Sequence, residues 1–419
     1  MSSPVTAVEF IVVFLFTLIA AWTVYHVPIA ISGLLSYRRG KTNLGRDCEK
    51  DSYEPSVSVV IPVKNGAKVL DRLMDSILAV DYPKEKMEVI FVEDGSTDGS
   101  YDICKNYEAK FPGLVKVIHR DRSRGKPEAL AYATERASGE ILAIFDVDSV
   151  INPNAFRLAL RYFEDLKVAA VQGRTFSINF RGKLLTWLVY LEEFWFSILM
   201  MGRRKLGLFT PLTGNCMFIR KSYLEEVGGW DRDSLTEDVE LSVRLVKHGY
   251  AVIYEKDIQC LQEAPTKLKH LALQRNRWYR GYLETLVKNL GLLKRFNHKM
   301  FDAVVLLSSP IIALLGQIFY PLVIIAATFI CPSLLLQVIL QLSLIPLVVS
   351  ILMFTIMVLL LVKPREFRLL ALAPLIYAYW TFLSVIVLKS CVDVVLGAPK
   401  VWVTTPKEGG IWSLSRSFS

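Results

Sequence analysis

Three stretches of this 419-residue chain contain no Asp, Glu, Lys or Arg: residues 10–37 (28 residues), 303–362 (60 residues) and 369–388 (20 residues). A helix needs about 20 apolar residues to cross the hydrocarbon core of a bilayer. The first and last runs therefore suit one span each and the middle run two or three. With 53% apolar and 21% charged residues and a mean hydropathy of +0.37, the chain is neither an ordinary soluble globule nor a disordered one. Between Lys41 and Met300 the composition is that of a soluble domain, long enough to bury its own core. The expected division is an anchor (1–37), a soluble domain (51–300), membrane helices (301–396) and a tail (397–419).

Arg38, Arg39, Lys41 and Arg46 follow the first apolar run, whereas residues 1–7 carry no charged side chain, so the positive-inside rule places the soluble domain in the cytosol. A cleaved signal peptide would want a basic start and a shorter apolar core. The location expected is the plasma (inner) membrane, multi-pass. A net charge of +9 (49 basic against 40 acidic residues) suits anionic headgroups and phosphate-bearing substrates and makes no case for nucleic acid. Cys48, Cys104, Cys216, Cys260, Cys331 and Cys391 form no CxxC pair and read as reduced cytosolic thiols.

Within the soluble domain, short Val/Ile-rich runs at 56–62, 87–92, 114–118 and 141–145 alternate with helical periodicity at 67–80, 101–110 and 127–137. That alternation predicts an α/β fold with a mostly parallel sheet covered by helices on both faces, whose ligands bind beyond the carboxyl ends of the strands. EDGSTDGS (93–100) and FDVDS (145–149) stand at two such ends. Asp146 and Asp148 there can present carboxylates to a divalent cation holding a diphosphate, although a lone D-x-D is common in solvated loops. SLTED places Glu237 and Asp238 at a helix start, where acidic residues also serve as plain dipole partners. LALQRNRWYRGYLE (271–284) sets Gln274, Arg277 and Trp278 on one helix face, a combination fit for a phosphate and a sugar ring, or for a membrane surface. The apolar stretch 183–204 carries Glu192 and Glu193 at its centre; two carboxylates are costly in a lipid-exposed span, so it is placed in the membrane plane, as is 266–290.

Taken in order, PVKNG (62–66), EDGS with Asp94, FDVD with Asp146 and Asp148, TED at 236–238 and QRNRW at 274–278 resemble the motifs of processive family-2 glycosyltransferases, the membrane-embedded synthases of cellulose, chitin, hyaluronan, poly-N-acetylglucosamine and mannan. The resemblance covers roughly residues 57–284 and implies a GT-A fold. It implies that Asp94, with Pro62 and Asn65 beside it, contacts the base of a UDP-sugar, and that Lys126 lies near the nucleotide. It puts Asp146 and Asp148 at the donor, with Asp148 the direct ligand of Mg²⁺ or Mn²⁺. Asp238 matches the general base, Gln274 and Arg277 the groups on the diphosphate, and Trp278 with Glu237 the acceptor side. The tail APKVWVTTPKEGG (398–410) resembles a W-x-x-T-x-K type that would bring Trp402 and Lys407 near the nucleotide; a disordered basic tail is the plain alternative.

The expected activity is inverting, metal-dependent transfer from a UDP-sugar to a growing β-linked polysaccharide, with translocation of the product. The alternatives are transfer of one sugar to a membrane lipid or polyprenyl phosphate, and a degenerate pore-forming subunit, which the intact Asp146, Asp148, Asp238 and Arg277 argue against. The side of the tail is contested within the sequence: the basic loop 363–368 favours two spans in the long run, leaving the tail outside, while Lys400, Lys407 and Arg416 favour the cytosol. A cytosolic tail then asks for breaks at Pro321 and near Pro346, or for a last segment that re-enters.

Overall fold

The computed structural model describes residues 4–38, 53–291, 297–329, 333–361, 374–402 and 404–410. Arg39, Lys41, Arg46, Arg416, Cys48, Cys331 and the loop 363–368 lie outside the described residues; Cys104, Cys216, Cys260 and Cys391 are free thiols.

The strands are β1 (Val57–Val63), β2 (Met87–Asp94), β3 (Val115–Arg120), β4 (Ile141–Ile144), β5 (Val150–Ile151), β6 (Val168–Ser177), β7 (Met217–Arg220) and β8 (Ala251–Gln262). They form one sheet in the order β3-β2-β1-β4-β7-β6-β8-β5. β3, β2, β1 and β4 are parallel, as the alternation predicts; the continuous runs of β1, β2 and β4 are buried on both faces, while β3, at the sheet edge, buries only Val115. β7 then runs antiparallel to β4 and β6, while β8 returns parallel to β6. Alternate residues serve two cores. Val59, Ile61 and Phe91 face α2 (Leu70–Leu78), α3 (Ser100–Lys110) and α5 (Ala155–Leu160); Val60, Ile90 and Ile144 face α4 (Lys126–Thr134), α7 (Lys221–Glu226) and α8 (Glu237–Lys247).

The remaining helices are α1 (Pro4–Arg38), α6 (Leu184–Lys205), α9 (Leu268–Asn289), α10 (His298–Leu307), α11 (Ser309–Phe329), α12 (Leu334–Leu361) and α13 (Leu375–Val395). Among the described residues α1, α6, α12 and α13 are long and apolar enough to cross a membrane, and α10 with α11 adds a fifth candidate bent by 50°. Pro321 and Pro346 lie inside α11 and α12, so the long charge-free run is not broken at either of these two prolines. Helices embedded among others accept an internal proline where neighbours or side chains take up the freed carbonyl.

Val12, Leu15 and Ile19 of α1 pack with the far end of α11 and the start of α12, whereas Leu34 joins a second cluster containing α6, the end of α12 and α13. α1 and α6 touch backbone to backbone. A Cβ on Gly33 would stand 2.0 Å from Ile198 O, and one on Gly202 only 1.9 Å from Ile29 O. Small residues allow this approach, as in membrane helix pairs. The glutamates of α6 point into protein: Glu193 accepts from Ser177 N at 2.8 Å and Ser177 Oγ at 2.7 Å, and Glu192 accepts from Arg275 at 2.7 Å.

Candidate active site

The loops after β1 and β2 are laced together. Asn65, in the left-handed region at φ 52°, donates its N–H to Ser96 Oγ at 2.9 Å and accepts from Thr97 N at 2.9 Å. Pro62 lies near the end of β1, and Lys64 donates to the carbonyl of Asp94 at 2.9 Å. The Asp94 carboxylate is buried, accepts from Ser123 Oγ at 2.5 Å and lies 3.4 Å from Arg120 Nε.

Around the end of β4 a second group converges. Lys126, the first residue of α4, donates to Asp146 at 2.5 Å and to Gly214 O at 2.6 Å. Burial opposes its charge, but Asp146, Glu237 and Asp238 outweigh burial and raise its pKa. Glu237 and Asp238 open α8 and are buried. Burial, then the neighbouring Asp238 charge, pushes the Glu237 carboxyl up to about 7, with Lys126 and Arg277 pulling the other way; burial likewise raises Asp238. Arg277 sits deep against these acids, donates to Leu235 O at 3.2 Å and keeps a buried Nε without a partner. Its pKa is lowered by burial despite Glu237, Asp238 and Asp146.

Asp148 stands apart from Asp146. Its Oδ2 accepts from Lys407 Nζ at 2.7 Å and from Glu263 N at 2.7 Å. Burial works to raise this carboxyl; Lys407, the Glu263 N–H and Arg72 overcome it and hold the pKa below the usual range. The tail crosses the site: Arg277 lies over the Trp402 ring at 4.2 Å, and Glu263 accepts from Glu408 N at 2.8 Å and Gly409 N at 3.2 Å while pairing with Arg72 at 3.0 Å. Gln274 is turned to Arg275, which donates to its Oε1 at 2.8 Å, and the Arg275 guanidinium lies 4.1 Å from the Trp278 ring centroid.

The fold thus gathers Lys126, Asp146, Glu237, Asp238 and Arg277, keeps Pro62, Asn65 and Asp94 as a separate group at the end of β2, and sets Gln274 and Trp278 on the flank beside α6. The motifs give no sign of Arg72, Asn215 or Glu263. Asn215 Oδ1 accepts from Asp146 N at 3.2 Å and Ser149 Oγ at 2.9 Å. A lone Glu closing a strand just before Ala264–Pro265 is the only local signal for Glu263.

Among the described residues no three His, Cys, Asp or Glu side chains converge as a metal cage. Asp146 and Asp148 each carry a lysine ammonium, so both carboxylates lie where positive charge is favoured. That donor set suits a cation such as Mg²⁺, which binds through one or two carboxylates with substrate phosphates completing its shell.

A parallel half-sheet with acidic groups at its strand ends, continued by antiparallel strands and carried on long apolar helices, defines a GT-A-like enzyme domain. The family "Glycosyltransferase like family 2" matches residues 55–281, and the chain belongs to that family of glycosyltransferases. A probable glycosyltransferase, YdaM, of Bacillus subtilis is 29% identical over 68% of this chain and 70% of its own length. Beta-monoglucosyldiacylglycerol synthase of a Nostoc species is 30% identical over 59% of this chain, and poly-beta-1,6-N-acetyl-D-glucosamine synthase of Staphylococcus epidermidis is 30% identical over 56%. The matched stretch spans 55% and 56% of those two relatives, little more than half of their length. Among solved structures, the mannosyltransferase PcManGT of Pyrobaculum calidifontis, in complex with GDP-Man and Mn²⁺, superposes with a TM-score of 0.61 at 21% identity over 92% of this chain and all of that one.

Proposed function

We propose that this enzyme transfers a sugar, with inversion, from a UDP-activated donor to the growing end of a β-linked polysaccharide at the cytosolic face of the plasma membrane, and passes the product through its helices. The observation that carries the transfer chemistry is the opposition of Asp238 to Lys126 and Arg277. A carboxylate whose proton affinity is raised by burial can take the proton of an acceptor hydroxyl, while two cations aimed at the same space stabilise the charge on a departing diphosphate. Asp94 with Asn65 and Pro62 would receive the uracil end of the donor. Asp146 and Asp148 would hold Mg²⁺ or Mn²⁺, which when bound supplies Lewis-acid neutralisation of the diphosphate. Trp278 would offer a flat face to the acceptor sugar, and Glu237, set beside Asp238 rather than beside Trp278, would meet the acceptor at its reacting end.

The contacts also support a topology in which only α1, α10 with α11, and α12 cross the membrane. Tyr379 of α13 bonds Glu192 of α6, and Asp393 accepts from Asn276 of α9 at 3.1 Å. Tyr379 and Asp393 are fourteen positions apart, about 21 Å of helix. A helix lying along the catalytic domain over that length is better placed at the interface than across a bilayer, and with α13 there the tail stays on the catalytic side. This arrangement reconciles a cytosolic loop at 363–368 with a cytosolic tail, and it favours a polymer because the acceptor helix α9 is docked on α13 beside the membrane helices.

A second reading, one sugar added to a diacylglycerol or another membrane lipid, is favoured by the similarity to the monoglucosyldiacylglycerol synthases. Protein in nanodiscs, given radiolabelled UDP-glucose, UDP-N-acetylglucosamine or GDP-mannose with Mn²⁺ or Mg²⁺, separates the two. The expected product from a UDP-sugar is a ladder removed by a polysaccharide-degrading enzyme; a lipid bearing a single sugar overturns the polymer, and turnover of GDP-mannose alone overturns the UDP donor. Asp238→Asn should lower turnover by about 10²–10⁴-fold with UDP binding retained.

A further inference from the structure

The guanidinium of Arg275 is almost fully buried, 2% exposed, between three helices, and none of the motif residues explains why a charge is placed there. Its NH2 donates to Glu192 Oε2 of α6 at 2.7 Å, and the hydroxyl of Tyr379 of α13 donates to the same oxygen at 2.5 Å. Its NH1 donates to Gln274 Oε1 at 2.8 Å, and its plane lies 4.1 Å from the centroid of the Trp278 ring. One planar, always-charged fork therefore touches two motif side chains and is held by two other helices. We propose that Arg275 is the positioning residue of the acceptor side, braced by Glu192 and Tyr379, and that it turns the amide of Gln274 from the diphosphate toward the acceptor while fixing the ring of Trp278. The proposal rests on the reading of Gln274 and Trp278 as substrate-contacting groups.

The chemistry of the amide gives the proposal its content. Gln has one acceptor oxygen and one donor nitrogen. With Oε1 engaged by Arg275, Nε2 is the end left for a ligand, so Gln274 is presented as a donor, the form suited to a hydroxyl oxygen of the acceptor sugar. Trp278 is half-buried; a guanidinium beside its ring holds one ring orientation, and the other face is the one left for a sugar. Lysine in place of Arg275 keeps the charge beside Glu192 but lacks the fork that reaches Gln274 at the same time. Because Tyr379 and Arg275 share one carboxylate oxygen, a displacement of α13 reaches the acceptor platform through two hydrogen bonds.

The test uses full-length enzyme in nanodiscs, with the UDP-sugar it turns over and two acceptor series as probes: cello- or chito-oligosaccharides of graded length, and diacylglycerol. Arg275→Lys is expected to raise the acceptor KM about tenfold and Tyr379→Phe about two- to fourfold, each with the Kd for UDP and the melting temperature unchanged. Trp278→Ala is the reference. If it raises acceptor KM while both other variants leave KM alone, the positioning role is overturned and the platform reading stands. If Trp278→Ala itself leaves KM alone, the platform reading falls and takes this proposal with it. A weakening of UDP binding in step with the KM change would also overturn it, assigning Arg275 to the donor. Should Arg275→Lys fail to fold, Tyr379→Phe, which removes a single hydroxyl, decides.

Discussion

Glu237 and Asp238 are adjacent carboxyls at the first turn of α8, both buried and both facing Lys126 and Arg277. Two like charges held that close do not ionise independently, and the pair titrates as a unit. The raised proton affinity has a direction for activity. The base must be unprotonated to act, so the rate should climb with pH through the range in which the pair loses its proton, with Glu237 pushed up to about 7. Removing one charge relieves the repulsion on the other. Glu237→Gln is therefore expected to move the acid limb of the kcat/KM profile to lower pH; a limb that stays in place would mean that Asp238 does not feel Glu237. Asp238 could be assigned in the sequence from its motif. Asn215, which orients the D-x-D backbone through hydrogen bonds from Asp146 N and Ser149 Oγ, could not, because its partners lie 69 and 66 positions away in the loop between β4 and β5.

At the scale of elements, the tail is the clearest case of a segment whose role depends on distant chain. Residues 398–402 and 404–409 lie along α9 and over the site: Arg280 donates to Pro399 O at 3.1 Å, Lys400 pairs with Glu284 at 2.9 Å, Trp402 stacks under Arg277, and Lys407 ends on Asp148. An ammonium on Asp148 and a divalent cation at the same carboxylate exclude one another by charge and by volume. Lys407→Met should accordingly lower the Mn²⁺ concentration needed for half-maximal UDP binding by several-fold, read by calorimetry at fixed UDP; no change would place the cation elsewhere. Wild-type affinity should recover with Lys407→Arg, which keeps the charge. The spacing W-x-x-T-x-K makes the tail recognisable, but that it docks on Glu263 through its own backbone N–H groups follows only from the folded chain.

For the whole molecule, the parallel strands, the charge-free runs and the acidic strand ends were legible because each depends on residues within about ten positions of one another, where periodicity and charge are local signals. β6, β7 and β8 were less so: they mix orientation, and β6 and β8 are half-covered by α6. The number of spans was not legible at all. Hydropathy alone admits up to five candidates, and the contacts of α13 with α6 and α9 argue for three. A reporter fused after the last residue checks this: fluorescence of a cytosolic reporter is expected, and activity of one that matures only outside the membrane would return α13 to a span. By itself the sequence determined that a family-2 catalytic domain is joined to apolar helices long enough to cross a membrane, and it named the carboxylates and the arginine that the fold gathers, since short motifs carry both. Only the tertiary structure decided that Glu263 and Arg72 grip the tail, that Arg275 joins α6, α9 and α13, and that the tail lies at the catalytic site. The contact of Tyr379 with Glu192 joins residues 187 positions apart, and no local pattern encodes which buried charge will meet which partner.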